Sequence, residues 1–127
     1  MAYSLDGTID SFPAIGDLSA RQYYAVTINS ANRINTGSST ASVAFGVLLD
    51  DPNAADVIGA VMIDGVCPAA CYGGDTAIAP GDSLTFNASG LLVKTTTDNA
   101  QIVGIAQEYL NDATPAFIAI RVQPARY

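Results

Sequence analysis

Apolar runs in this 127-residue chain are short, and a turn-forming cluster closes each one before it reaches helix length. Residues 23–29 alternate, with Tyr23, Ala25 and Thr27 on one face and Tyr24, Val26 and Ile28 on the other, which is the period of a strand. Residues 33–40 read as a loop of Asn, Thr, Gly and hydroxyl side chains. A second strand over 42–49 ends at Asp50-Asp51-Pro52-Asn53, whose proline and Asx residues specify a turn. The nearly continuous apolar run 58–66 suits a strand buried on both faces. Pro80-Gly81-Asp82 turns the chain into 83–87, and Ala88-Ser89-Gly90 closes a hairpin onto 91–95. A last pair, 102–108 and 116–122, is joined through Asn111-Asp112. Seven or eight short strands at this spacing predict an all-β fold, a small β-barrel or β-sandwich. Only 51–57 leaves room for a helix. Eleven of the twelve acidic residues are Asp, a turn former, and only Glu108 is the helix-favouring Glu.

Two glycines sit inside apolar strands, in Phe45-Gly46-Val47 and Val103-Gly104-Ile105. Such a glycine marks a bulge or a close approach of two backbones, and the pair is open to two readings, matching corners of a small barrel or a chance echo. Residues 1–20 are different. Gly7, Pro13 and Gly16 interrupt them, and Leu5, Ile9, Phe12, Ile15 and Leu18 follow no period. They read as an extended N-terminal arm with few internal hydrogen bonds, of the kind that orders against a partner. Residues 21–127 then form a single β domain, long enough to bury one core without metal or disulfide.

Charge narrows the function. The net charge is −7 and only 13% of residues are charged. The five bases, Arg21, Arg33, Lys94, Arg121 and Arg126, are scattered, so neither a run of phosphates nor an anionic membrane surface has a counterpart here. No apolar run approaches a membrane span, and the first ten residues carry no leader pattern, so the chain is expected to stay in the cytoplasm where it is made. A charge-poor surface on a folded domain implies that partners cover part of it.

No catalytic, metal or cofactor site is expected. Without histidine there is no Ser–His–Asp or Cys–His arrangement and no imidazole for zinc. Cys67 and Cys71 are separated by three residues instead of the two of a redox pair, and read as reduced, small apolar groups. Asp75-Thr76-Ala77 matches the aspartic-protease triplet, but Gly73-Gly74 stands where an apolar strand should lead into it. Ile102-Val103-Gly104 also follows too soon to leave room for a flap. The acidic turn Asp50, Asp51, Asn53 and Asp56 lacks the alternation, mid-loop glycine and bidentate Glu of a calcium loop.

Four stretches, in order, resemble the small capsid decoration proteins (cement or head-fibre proteins) of tailed phages. They are Asp17-Leu18-Ser19-Ala20-Arg21-Gln22-Tyr23-Tyr24-Ala25-Val26, then Ala44-Phe45-Gly46-Val47-Leu48-Leu49 with Pro52 and the strand into Gly65-Val66. The third runs over 78–84 around Pro80-Gly81-Asp82, and the fourth is Ile102-Val103-Gly104-Ile105-Ala106-Gln107-Glu108. The pattern is departed from at 67–74, where two cysteines and a tyrosine replace small residues, and in the acidic segment 50–56. The resemblance implies a non-enzymatic virion protein on the capsid outer surface, a homo-trimer that binds the major capsid protein and stabilises its lattice. On that reading Tyr3, Leu5, Ile9, Phe12 and Ile15 are the candidate capsid or subunit contacts, and a strand added to the protein's own sheet is the alternative for some of them. A virion surface knob that binds host carbohydrate or a receptor is the alternative. It would want exposed aromatic platforms beside polar loops, and the sequence has no tryptophan and no run of clustered tyrosines.

Overall fold

In the computed structural model, residues 6–39 and 42–126 are described, and they contain nine β-strands and no helix. The strands are β1 (Asp6–Pro13), β2 (Ala25–Ile28), β3 (Ile34–Thr36), β4 (Gly46–Leu48), β5 (Ile58–Cys71), β6 (Ser83–Phe86), β7 (Leu92–Lys94), β8 (Gln101–Ala106) and β9 (Ala116–Arg126). The expected all-β architecture holds. The choice between barrel and sandwich resolves into a barrel with a wing.

The barrel is a closed ring. β5 pairs with β9, β9 with β8, β8 with β6 and β6 with β7, all antiparallel. β7 returns to β5 through a parallel contact, Cys71 opposite Leu92, and the Tyr72 N–H donates to the Leu92 carbonyl at 2.8 Å. Its interior holds Cys67, Ala69, Cys71, Leu84, Phe86, Leu92, Val103, Ile118, Ile120 and Val122, and Ile78 and Leu110, bridged to each other, join the same core. Closure leaves these strands few free edges, which is how small all-β domains avoid edge-to-edge association.

β5 is longer than the ring needs, and its first half carries the wing. β1 lies along one side, Asp6 opposite Val66 to Pro13 opposite Ile58, with a register shift between Thr8 and Ile9. On the other side β4 pairs with Val61 and Met62, followed outward by β2 and β3. Alternation gives the wing two buried faces. Ala25, Val47 and Met62 join the barrel core, while Val26, Leu48 and Val61 pack with Ala14, Leu18 and Ile34 in a second cluster. Each fully buried Val, Leu or Ile contributes roughly 1.5–3 kcal/mol, so the wing is held from both sides.

Four expectations are corrected. The segment 33–40 contains a strand, β3, whose Ile34 is fully buried. The stretch 51–57 is irregular, with Pro52 buried and its carbonyl accepting from the Leu18 N–H at 2.8 Å. β5 continues past residue 66 through Cys67-Pro68-Ala69-Ala70-Cys71. Proline is tolerated there because Pro68 shares its edge with the Ala70 N–H, which points away from β9 toward the Tyr23 carbonyl, so no N–H is missed in the β5–β9 ladder. Over 6–13 the segment expected as an arm with few internal hydrogen bonds is a paired strand of the sheet.

The two mid-strand glycines both mark close approaches. A Cβ on Gly46 would lie 2.7 Å from Val61 Cγ1 and 3.1 Å from the Met62 carbonyl carbon. One on Gly104 would lie 3.0 Å from the Arg121 carbonyl carbon, beside a register shift between Ile102 and Gly104. They are not matching corners, since β8 belongs to the ring and β4 to the wing.

Candidate functional site

The side chains with potential chemistry are dispersed. Cys67 and Cys71 face the barrel core, both free and fully buried, and burial pushes the Cys67 thiol up to about 12 and raises Cys71 further. Four residues of continuous strand span about 13 Å, well beyond the roughly 7 Å that a disulfide bridges. Asp75 lies exposed in the bend after β5. In the acidic turn, Asp50 Oδ1 accepts from the Ala60 N–H at 3.1 Å and Asp56 pairs with Arg33 at 2.6 Å. Among the described residues no three His, Cys, Asp or Glu side chains are gathered as metal ligands would be.

What the fold does assemble is surface. Of the five residues expected at a partner contact, Tyr3 and Leu5 lie outside the described residues. Ile9 is 47% exposed and Ile15 45% exposed. Phe12 is half-buried, its ring edge-on to Phe45 with centroids 4.8 Å apart, against the second core. Ile9 is opposite Met62 and Pro13 opposite Ile58, so Ile9 and the exposed Ile58 share one face of the β1–β5 pair. The strand that carries these residues is anchored, and part of its apolar surface still faces solvent.

A second surface was not legible as a pattern. Residues 21–24 bring an arginine and two tyrosines to the outside of the barrel. Tyr23 adopts φ 67°, a left-handed conformation that bulky residues rarely take. Two hydrogen bonds hold it there: its N–H donates to the Leu48 carbonyl at 2.7 Å, and its carbonyl accepts from the Ala70 N–H at 2.9 Å. Tyr23 thereby ties the wing to the barrel. Its ring meets Phe117 edge-on, with centroids 5.6 Å apart, and Phe117 is 52% exposed. The Arg21 guanidinium lies over the Tyr24 ring, 4.9 Å from its centroid. Between Tyr24 and Phe117 runs a cleft of about 100 Å³, lined also by Ala70, Leu91, Pro115 and Ala116. The tyrosines are adjacent in sequence, but Phe117 is 93 residues further on than Tyr24, and only the β5–β9 pairing of Ala70 with Phe117 brings it alongside. A favoured interface composition, aromatic residues with arginine, is thus gathered from distant segments.

No protein-family model and no curated protein sequence matches this chain. Among solved structures, it is similar to the crystal structure of the head fiber gp8.5 N base in bacteriophage phi29, at 16% sequence identity and a TM-score of 0.66. The similarity covers 94% of this chain and 98% of the other. At that identity the likeness concerns the fold, and the resemblance expected from the four sequence stretches is met at that level: the chain has the fold of a tailed-phage head-fibre base.

Proposed function

We propose that this chain is a non-enzymatic structural protein of a tailed-phage virion, a decoration protein seated on the outer surface of the head, where it stabilises the lattice of the major capsid protein. The observation that carries the reading is that the fold likeness to a head-fibre base extends over nearly the whole of both chains. Composition supports it. A domain with little surface charge, partly exposed Ile9, Ile15, Ile58 and Phe117, and potentially catalytic side chains either buried or dispersed suits contact with other proteins. A homo-trimer touching several capsid subunits would gain avidity from contacts that are individually modest, which fits a small domain.

The test is co-sedimentation of the purified protein with undecorated heads, followed by a heat challenge. Saturable binding at a fixed ratio to the capsid protein, with decorated heads surviving to a higher temperature, is the expected result. Absence of binding to both compact and expanded heads would refute it.

The second reading, a surface knob that binds host carbohydrate, draws on the Tyr23, Tyr24 and Phe117 cluster, an aromatic surface of the kind that sequence alone did not reveal. Retention on immobilised host glycans, with no affinity for heads, would move that reading to first place.

A further inference from the structure

The Tyr24–Phe117 cleft has a size, a charge and a rigidity that together specify an occupant. It encloses about 100 Å³, far below the roughly 300 Å³ at which small-molecule pockets begin, and close to the volume of one aliphatic side chain. Its walls, Tyr24, Ala70, Leu91, Pro115, Ala116 and Phe117, carry no charge. Beside it stands Arg21. Among the described residues no carboxylate lies within ion-pair distance of that guanidinium, although the chain carries twelve acidic residues. The guanidinium carbon sits 4.9 Å from the Tyr24 ring centroid, and its N–H fork has no ion-pair partner among the described residues.

The cleft is also built in advance. Tyr23 keeps its costly left-handed backbone because Leu48 and Ala70 grip it from the wing and the barrel. That grip places the Tyr23 ring against Phe117 and sets Tyr24 at the mouth. A preformed socket spares a partner most of the ordering cost of binding, which is the condition under which a single anchoring side chain dominates an interface.

We infer that this cleft is a docking socket for one apolar side chain of a partner protein, with Arg21 pairing to a carboxylate displayed within a residue or two of that side chain. The inference rests on the head-binding reading and deepens it: the partner is a capsid subunit, and the barrel flank around Arg21 and Phe117 is the face turned toward it. Charge complementarity sets the partner's chemistry: Arg21 has no ion-pair partner among the described residues, and a carboxylate displayed by the capsid subunit supplies one.

The test measures binding to undecorated heads for the wild type, Phe117→Ser, Arg21→Gln and Arg21→Lys, with Thr97→Ala, in the exposed stretch between β7 and β8, as the control variant. Thermal melts of each confirm that the fold is kept. Phe117→Ser and Arg21→Gln are each expected to weaken binding on the order of tenfold or more. Arg21→Gln should also flatten the dependence on salt, and Arg21→Lys should restore that dependence with only part of the affinity. Thr97→Ala should bind like the wild type. If the wild type binds heads and the cleft variants bind equally well, the socket is refuted and the head reading stands. If the wild type does not bind heads at all, the head reading itself has failed, and the socket falls with it. Two further outcomes would overturn the proposal by identifying another occupant. One is loss of self-association in sedimentation velocity with head affinity unchanged, and the other is loss of binding to immobilised oligosaccharides with head affinity unchanged.

Discussion

Replacing Gly104 by alanine should destabilise the closed barrel more than any conservative surface change. The added methyl would stand 3.0 Å from the Arg121 carbonyl carbon and 3.2 Å from Val122 Cα, with the Arg121 oxygen nearer still. All three obstacles are backbone, so no side-chain rotation relieves the clash. β8 cannot retreat either, because Ser83 and Leu84 of β6 pair with Ile105 and Gly104 on its other side. One neighbouring ladder must therefore open by on the order of an ångström. Overpacking a core typically costs 1–3 kcal/mol, and an obstruction made of backbone belongs at the top of that range, about 3 kcal/mol. With an unfolding entropy of roughly 2.1 cal/mol/K per residue, a domain of this length has about 0.27 kcal/mol/K at its midpoint, so Tm should fall by about 11 °C. The internal control is Gly16→Ala. Nothing lies within 4 Å of its would-be Cβ, so Tm should hold or rise by a few degrees through the smaller entropy of the unfolded chain. Calorimetric melts of the three proteins decide the matter. A Gly104→Ala variant melting within about 3 °C of the wild type would refute the close approach of β8 to β9, and with it the tightness of the ring.

Three further outcomes follow from the same geometry. The Cys67 and Cys71 thiols should resist alkylation at pH 8 in the native protein and react once it is unfolded. Because folding raises both pKa values from about 9, to about 12 for Cys67, the stabilisation is intact below pH 9. It falls above that as the unfolded thiols ionise, by at most about 1.4 kcal/mol per pH unit for each, and Cys67→Ala should halve the slope in alkaline melts. Asp82→Ala should cost about 1–2 kcal/mol, since Asp82 Oδ2 accepts from the Ala79 N–H at 2.8 Å across the Pro80-Gly81 turn and faces Lys94 Nζ at 3.6 Å, whereas Asp82→Asn, which can keep the turn hydrogen bond, should cost clearly less in urea titrations. Asp75→Asn, in an exposed bend, should leave the melting temperature and head binding unchanged, and any peptide cleavage abolished by it would revive the protease reading.

The sequence was most legible where burial and period agree. Strands 83–87, 91–95 and 102–108 read within two residues or fewer of β6, β7 and β8, because their apolar residues fill the barrel, and Pro80-Gly81-Asp82 and Ala88-Ser89-Gly90 bound the first two. β3 was missed because only Ile34 of its three residues is buried, and one apolar residue among Asn and Thr makes no period. The far half of β5 was missed because Pro68 reads as a strand end unless the edge it faces is known. β1 reads as an arm from its glycine, proline and irregular apolar spacing. It pairs nonetheless, because β5 outruns the barrel and leaves an edge for it, and the register shift at Thr8 and Ile9 absorbs the broken alternation. The aromatic cleft was illegible for a different reason. Tyr23, Tyr24 and Arg21 are local, but Phe117 and Pro115 arrive through long-range pairing, and a left-handed tyrosine has no compositional signature.

The central claim, a place on the outside of a phage head, is tested most directly by cryo-electron microscopy of heads assembled with and without this protein. The account predicts a difference density on the outer face of the capsid shell, repeated across the lattice, into which the barrel and its wing fit with the Arg21–Phe117 flank toward the shell. Identical outer surfaces in the two maps, with the protein recovered free in the supernatant, would contradict it.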